Sequence, residues 1–276
     1  MLVSLNDVLK KAQKERYAVG LFNTTDTDML EAVLEAAEKK RAPVIIGTAE
    51  ILLPYGELAL IGPSILAAAR RASVPVVVHY DHGLTFERCM EALRLGFSSV
   101  MFDGSVKPYA QNIAETREIV RIAHAFGASV EGEIGHVGNA DEEDGQSRYT
   151  TVEEAERYLA DTGVDALAIA IGTAHGAYKT APKLSFERLR EIRSAVDVPL
   201  VLHGGSGLSE GDFRRAIAEG IAKVNIFTDL CQAGLQGQAE ALEKGLDYLS
   251  ARNLKKDRIA AAVERKIDLF GCAGRA

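Results

Sequence analysis

The sequence has few cysteines, no excess of positive charge and no long hydrophobic run. Its three cysteines lie far apart with no C-x-x-C spacing, so neither a disulfide framework nor a thiolate zinc site is predicted. Lys and Arg number 32 against 39 Asp and Glu, a net charge of -7, and no basic stripe suits a nucleic-acid backbone. The longest apolar runs, at 61–69 and 166–171, are shorter than the roughly 18 residues that span a bilayer. Residues 1–16 lack the features of a secretory signal. We therefore expect a cytoplasmic protein without nucleic-acid or membrane partners.

The composition is that of a folded protein, because 47% of the 276 residues are hydrophobic and 26% are charged. Short apolar runs alternate with longer segments whose apolar residues recur every three or four positions. The runs predict eight strands, at 18–23, 43–49, 75–83, 98–105, 129–135, 166–172, 199–207 and 223–229. The longer segments predict helices, among them 26–40, 85–95, 108–126, 152–161, 185–195, 209–219, 232–249 and 255–270. Nearly continuous hydrophobic strands are typical of a parallel sheet that is covered by helices.

Polar side chains stand at or just beyond the ends of seven of the eight runs. They are Asn23, Asp81, His82, Asp103, Glu133, His175, His203, Asn225, Thr228 and Asp229. The carboxyl ends of all strands share one face in a (β/α)8 barrel, whereas an open doubly wound sheet gathers only the strands beside its switch point. The sequence therefore predicts an α/β protein, a single-domain (β/α)8 TIM barrel over residues 1–276.

Three of the six histidines lie at these strand ends. Three imidazoles around one open coordination position are the ligand set of a catalytic zinc ion. We therefore expect His82, His175 and His203 to bind Zn²⁺.

The other three histidines carry weaker signals. His79 alternates with Asp81 along its strand and is expected to be a structural residue inside the barrel. His124 falls in a predicted helix, where a structural or exposed position is expected. His136 opens a Gly-rich, acidic insertion at 135–150 that follows the fifth strand. A lid over the site is favoured for this insertion, and a loop that simply projects into solvent is the alternative.

Three carboxylates accompany the histidines. Asp81 adjoins His82, and adjacent side chains on a regular strand point apart, so a separate task as proton carrier is favoured over support of that imidazole. Asp103 and Glu133 are expected to support the ligands or to form structural salt bridges at the rim.

A phosphate site is predicted from the glycine-rich turn that follows His203. The turn, residues 204–207, leads into the last helix-strand unit, where barrels commonly bind phosphate through backbone N–H groups and a helix N-terminus. Lys179 adds a cation there or remains a solvated loop residue.

These blocks together resemble the class II, metal-dependent ketose-bisphosphate aldolases of the fructose and tagatose group. The resemblance runs from Val3 to the GCAGRA terminus. It rests on YDHG at 80–83, MFDGS at 101–105, EGEIGHVGN at 131–139, AIGTAHGAYK at 170–179, LHGGSG at 202–207 and KVNIFTD at 223–229.

The resemblance implies a role for each matching residue. His82, His175 and His203 would hold zinc, Asp81 would be the acid/base at the cleaved bond, and Asp103 and Glu133 would take a second metal or support the first. Glu143 in the EEDG element would be the carbon proton shuttle, with Glu142 as the alternative. Dihydroxyacetone phosphate, beside a monovalent Na⁺ or K⁺, would be bound by Asn23, Gly176, Lys179, Gly204, Ser206, Asn225 and Thr228. Homodimers or homotetramers are expected by the same analogy.

Two departures from the fructose-type pattern affect the expected substrate. Phe227 occupies a position where a polar residue, often Asp, faces the substrate, and 249–260 lacks an Asp-Pro-Arg element. Arg275, or an arginine of a neighbouring subunit, is the remaining candidate to bind a second phosphate. We therefore expect a ketose with phosphate only at carbon 1 to be preferred.

The resulting hypothesis is reversible retro-aldol cleavage of a ketose 1-phosphate or 1,6-bisphosphate to dihydroxyacetone phosphate and an aldehyde. A sugar-phosphate isomerase or epimerase is one alternative, because it would share the metal-stabilised enediolate. A noncatalytic barrel subunit beside an active aldolase is another.

Overall fold

The strands and helices alternate along the chain. The computed structural model describes residues 1–135, 149–176 and 182–276. The strands in these ranges are β1 (Leu2–Val3), β2 (Val19–Asn23), β3 (Val44–Ala49), β4 (Val76–Gly83), β5 (Ser99–Phe102), β6 (Ser129–Ile134), β7 (Ala166–Ile169), β8 (Leu200–Leu202) and β9 (Ile221–Ile226). The α-helices are α1 (Leu5–Glu15), α2 (Thr27–Lys40), α3 (Leu58–Arg71), α4 (Phe86–Leu95), α5 (Tyr109–Ala125), α6 (Val152–Thr162), α7 (Phe186–Ala195), α8 (Glu210–Ala218), α9 (Thr228–Glu243) and α10 (Tyr248–Phe270).

Strands β2 to β9 form a closed parallel barrel. Each strand pairs with its neighbour along the chain, and β9 pairs back with β2 through registers such as Val19 with Lys223. The short β1 adds to the first residues of β4, beside Val76 and Val77. The predicted (β/α)8 architecture is confirmed, and its closure brings all the strand ends to one rim.

Local sequence signals account for most of the helix boundaries. Thr151 caps α6 by accepting a hydrogen bond from the Glu154 amide, and Ser209 caps α8 in the same way. The boundary predicted near 249–255 is wrong, because Asp247 caps a single helix α10 that continues to Phe270. No helix in the described ranges is long and apolar enough to cross a membrane.

Several strands are shorter than predicted, and two of these differences concern the histidines. Strand β7 ends at Ile169 rather than at 172, and β8 ends at Leu202 rather than at 207. Gly172 and Gly204 follow with φ of 108° and 65°, a left-handed backbone that leaves the extended conformation. His203, which was predicted inside a strand, therefore stands on the loop that follows β8, and His175 lies beyond the end of β7.

Candidate active site

A cavity of about 290 Å³ opens at the carboxyl ends of the barrel strands. Among the residues that line it are Asn23, Asp81, His82, Asp103, His175, Gly176, Gly204, Ser206, Asn225 and Thr228, all of them predicted site residues. His203 and Glu133 are buried directly behind this lining. Glu142, Glu143, His136 and Lys179 lie outside the described residues.

Strand β4 contains a bulge at the centre of the site. Between Tyr80 and Gly83 it has one residue more than the facing stretch of β5, and His82 has a φ of 43°. A bulge re-aims the side chains next to it. Asp81 and His82 both line the cavity, so the expectation that these neighbours point to opposite sides is wrong.

Three imidazoles converge at the rim. The rings of His82, His175 and His203 lie with their centroids 4.6 to 5.9 Å apart. Their candidate ligand nitrogens all lie within 4.8 Å of one another, and His82 Nε2 is 2.8 Å from His203 Nδ1. Nitrogens so close around one point match the three-histidine arrangement of a catalytic metal centre.

Carboxylates hold the far nitrogens of two of these rings. Asp103 Oδ2 is 2.7 Å from Nδ1 of His82, and Glu131 Oε1 is 2.8 Å from Nε2 of His203. A carboxylate accepts the ring N–H and leaves the other nitrogen with its lone pair, as in carboxylate–histidine–zinc triads. The donor set therefore fits a divalent ion such as Zn²⁺.

A second group of potential ligands adjoins the first. His82, Asp103 and Glu133 place their ligand atoms within 4.8 Å of one another, and Glu133 Oε2 is 3.4 Å from His203 Nδ1. Carboxylate oxygens beside imidazole form a mixed set that suits a divalent ion.

The electrostatics of the rim favour a cation. Burial by itself lowers the pKa of His82, but Asp81 and Asp103 raise it to about 10. Burial and the neighbouring His82 and His203 lower the pKa of His175 to about 3. His82 thus lies in a strongly negative potential, whereas His175 stays neutral. A metal ion between the two rings would be attracted by that potential and would accept the lone pair of the neutral ring.

Asp81 is held by two amides rather than by the three rim imidazoles, and His79 Nε2 lies 3.6 Å from its Oδ1. Asn23 Nδ2 donates to its Oδ2 at 2.7 Å, and Asn225 Nδ2 lies 3.1 and 3.2 Å from its two oxygens. Burial raises the pKa of Asp81, but the nearby His82, His79 and Lys223 outweigh it, so the pKa lies well below its usual value. The carboxylate is therefore charged and aimed into the cavity.

The predicted phosphate end lies at the start of α9. Ser206 Oγ accepts hydrogen bonds from the backbone N–H groups of Phe227 and Asp229, both at 3.3 Å. Gly204 has a left-handed backbone, and a Cβ there would overlap the Ala174 carbonyl oxygen. This close approach holds the turn after β8 against the loop that carries His175.

Six residues of the cavity lining are apolar, and we call them the apolar wall. Its residues are Ala49, Ile51, Leu52, Leu84, Ile226 and Phe227. No lysine or arginine lines the cavity within the described ranges. Arg275 pairs with Glu15 at 2.6 Å and packs over Tyr17, which precedes β2, so it lies at the opposite end of the barrel. Arg275 of the same chain therefore cannot bind a second phosphate.

Two residues beneath the cavity were absent from the sequence prediction. Glu131 and Lys223 are completely buried inside the barrel, as is His79, for which the interior position was predicted. Glu131 lies two residues before Glu133, and Lys223 two before Asn225. The two-residue period of a strand was the signal that could have found them.

Comparisons with known proteins agree with this geometry. A family model described as Fructose-bisphosphate aldolase class-II matches residues 3–275. The chain belongs to this family. It is 42% identical to 6-phospho-5-dehydro-2-deoxy-D-gluconate aldolase of Shouchella clausii, over 99% of this chain and 96% of that protein. It is 38% identical to fructose-bisphosphate aldolase of Thermus caldophilus over the full length of both.

Structural comparison gives the same result. The crystal structure of the YdjI aldolase from Escherichia coli K12 has a TM-score of 0.91 and 35% identity, with 100% of both chains covered. The protein is therefore an aldolase, a lyase that acts on small molecules. This family membership argues against the noncatalytic subunit as the alternative.

Proposed function

We propose that this aldolase reversibly cleaves a ketose 1-phosphate to dihydroxyacetone phosphate and an aldehyde, with Zn²⁺ held by His82, His175 and His203. The observation that carries the proposal is the position of the Asp81 carboxylate in the cavity that His82 and His175 line, held by amides and not by the rim imidazoles. Retro-aldol cleavage requires a proton acceptor close to a Lewis-acid centre.

Binding begins at the phosphate end. The turn with Gly204 and Ser206, together with Gly176 and Thr228, would receive the phosphate at the N-terminus of α9, where backbone N–H groups favour an anion. Lys179 would add a cation from outside the described residues. A divalent ion held by His82, His175 and His203 would supply Lewis-acid polarisation of the substrate ketone.

Two proton transfers complete the cleavage. Asp81 would take the proton of the hydroxyl on carbon 4 as the bond between carbons 3 and 4 breaks, and the electron pair would move to the carbon 2 carbonyl. Glu143 would then return a proton to carbon 3, giving dihydroxyacetone phosphate. Asn23 and Asn225 hold the Asp81 carboxylate during this exchange. Glu142 is the alternative shuttle.

Additional ions are part of the proposal. The group formed by His82, Asp103 and Glu133 could receive a second divalent ion or support the first. A monovalent cation, Na⁺ or K⁺, would sit beside the substrate phosphate. A homodimer or homotetramer remains a prediction from family analogy.

A coupled assay tests the reaction class. Metal-replete protein is incubated with ketose 1-phosphates, and dihydroxyacetone phosphate is measured by its enzymatic reduction with NADH. We expect NADH oxidation that depends on both protein and substrate. Conversion of one sugar phosphate to an isomer without NADH oxidation would instead indicate the isomerase or epimerase. A screen of aldehydes with dihydroxyacetone phosphate, in the reverse direction, would then identify the natural acceptor.

The apolar wall predicts the specificity at the aldehyde end. We expect kcat/KM for a ketose 1-phosphate to exceed that for fructose 1,6-bisphosphate by at least about tenfold, because a missing charged hydrogen bond costs about 1.5–3 kcal/mol. The Phe227 side chain cannot accept a hydrogen bond, and no described lining residue is a lysine or an arginine. The name of the Shouchella clausii relative describes a substrate with one phosphate, on the carbon beside the ketone.

Steady-state kinetics on both substrates measure this preference. Phe227→Asp is the informative variant, because a carboxylate there would accept hydrogen bonds from sugar hydroxyls. It should raise kcat/KM for hydroxylated aldehydes in the synthetic direction and leave the dihydroxyacetone phosphate KM within about twofold. A wild-type kcat/KM that is higher for the bisphosphate would refute the predicted preference.

A further inference from the structure

A buried ion pair lies beneath the proposed metal centre. Lys223 on β9 and Glu131 on β6 are both fully buried, and Lys223 Nζ is 2.7 Å from Glu131 Oε2. The other oxygen of Glu131, Oε1, is 2.8 Å from Nε2 of His203. The cation, the carboxylate and the imidazole therefore form one chain that leads from the barrel interior to the rim.

Lys223 is not placed to act as a nucleophile. A Schiff-base aldolase needs an amine that reaches the substrate carbonyl. Lys223 does not line the cavity, and its ammonium group is paired with Glu131 beneath the imidazoles. Its position calls for another role, because burying a charged pair costs several kcal/mol of desolvation per ion.

We propose that Lys223 is a positioning residue for the metal centre, which fixes the orientation of Glu131 so that His203 presents Nδ1 to the shared ligand position. This inference rests on the zinc centre of the proposed function.

Each polar atom of Lys223, Glu131 and His203 has one role in this arrangement. A carboxylate can only accept hydrogen bonds, so Nε2 of His203 carries the hydrogen and Nδ1 keeps its lone pair. Nδ1 is the nitrogen that lies 2.8 Å from His82 Nε2, at the meeting point of the imidazoles. The Lys223 ammonium is paired with Oε2 of Glu131 by charge at 2.7 Å, without hydrogen-bond geometry, and His79 Nε2 lies farther from the same oxygen, at 3.9 Å. This attraction draws Oε2 toward Lys223 and leaves Oε1 at the His203 ring. Without the ammonium, the carboxylate loses its nearest charged neighbour.

Zinc affinity is the decisive measurement, because a purely structural lysine would not change it. Lys223→Met keeps the length of the side chain and removes its charge, and Glu131→Gln keeps the shape of the carboxylate. Dissociation constants are measured by competition with a chromogenic chelator. Absorption spectra of the Co²⁺-substituted proteins report on ligand geometry. Lys255→Met is the matched control, because it removes a cation that pairs with Asp26 and Asp28 away from the cavity.

We expect Lys223→Met to weaken zinc binding by about 10- to 100-fold and Glu131→Gln by about tenfold, the range for residues that orient metal ligands. The Co²⁺ spectrum should change in both variants. Lys223→Arg should retain more of the affinity, and Lys255→Met should stay within about twofold of wild type.

Three outcomes would overturn the inference. The first is a folded Lys223→Met protein with wild-type zinc affinity and an unchanged Co²⁺ spectrum. If Lys223→Met fails to fold, wild-type affinity and spectrum in Glu131→Gln are the second. The third is failure of the wild-type protein to bind a divalent ion, which would also overturn the metal centre of the proposed function, whereas the first two leave that centre intact.

Discussion

Replacing Asp81 with alanine should lower the rate of carbon–carbon cleavage by about 10²- to 10⁴-fold, the contribution of a positioned acid–base group. The variant should keep its zinc, because Asp81 is held by Asn23 and Asn225 and makes no hydrogen bond to the three rim imidazoles in the described structure. It should also retain part of the exchange of the dihydroxyacetone phosphate carbon proton, since that step uses a different group. Cleavage is followed by the coupled assay, and exchange is followed by NMR in D₂O.

The proposed shuttle gives the complementary result. Glu143→Ala should suppress the exchange at carbon 3, and normal exchange in this variant would move the role to Glu142 or to another group. Asp268→Ala is the matched control, because its exposed carboxylate pairs with Lys40 on the outside of the barrel.

Cleavage by Asp81→Ala at more than about a tenth of the wild-type rate would contradict the assignment of Asp81.

Replacing His203 with alanine should remove most of the bound zinc and with it the activity. We expect wild-type protein to hold about one zinc per chain, and the affinity of the variant to fall by more than about 100-fold, beyond the effect of losing a supporting residue. The reason is geometric. His203 Nδ1 lies at the meeting point of the rings, and no other described histidine lies close enough to replace it there.

Chelation provides an independent test of the same site. Removal of the ion should abolish turnover and leave the circular dichroism spectrum nearly unchanged, because the core of the barrel is a set of buried apolar residues that the rim does not hold together. Elemental analysis measures the metal content. His124→Ala is the control, since that ring lies on α5 and pairs with Asp165. Full metal content and activity in His203→Ala would show that the ligand assignment is wrong.

The sequence by itself determined the architecture and the face that carries the site. Eight apolar runs separated by helical patterns predict a closed parallel barrel, and the polar residues at their ends meet because such strands share a direction. Asp81, His82, Asp103, His175 and Asn225 were found in this way, and all of them line one cavity. The order of elements along the chain was sufficient, because a helix that connects two consecutive strands lets both run in the same direction.

The tertiary structure decided how these side chains face one another. The bulge at His82 turns two adjacent residues into the same cavity, which a regular two-residue period excludes. Arg275 lies at the far end of the barrel although the sequence left it open as a phosphate ligand.

The tertiary structure also decided how the rim is supported from below. The pairing of Lys223 with Glu131 depends on the strands that closure brings across the barrel, and the two residues are 92 positions apart in the chain, from 131 to 223. A two-residue pattern predicts which way a side chain leaves its own strand only where that strand is regular. Distances across the barrel depend on register, bulges and closure, and these are properties of the whole sheet.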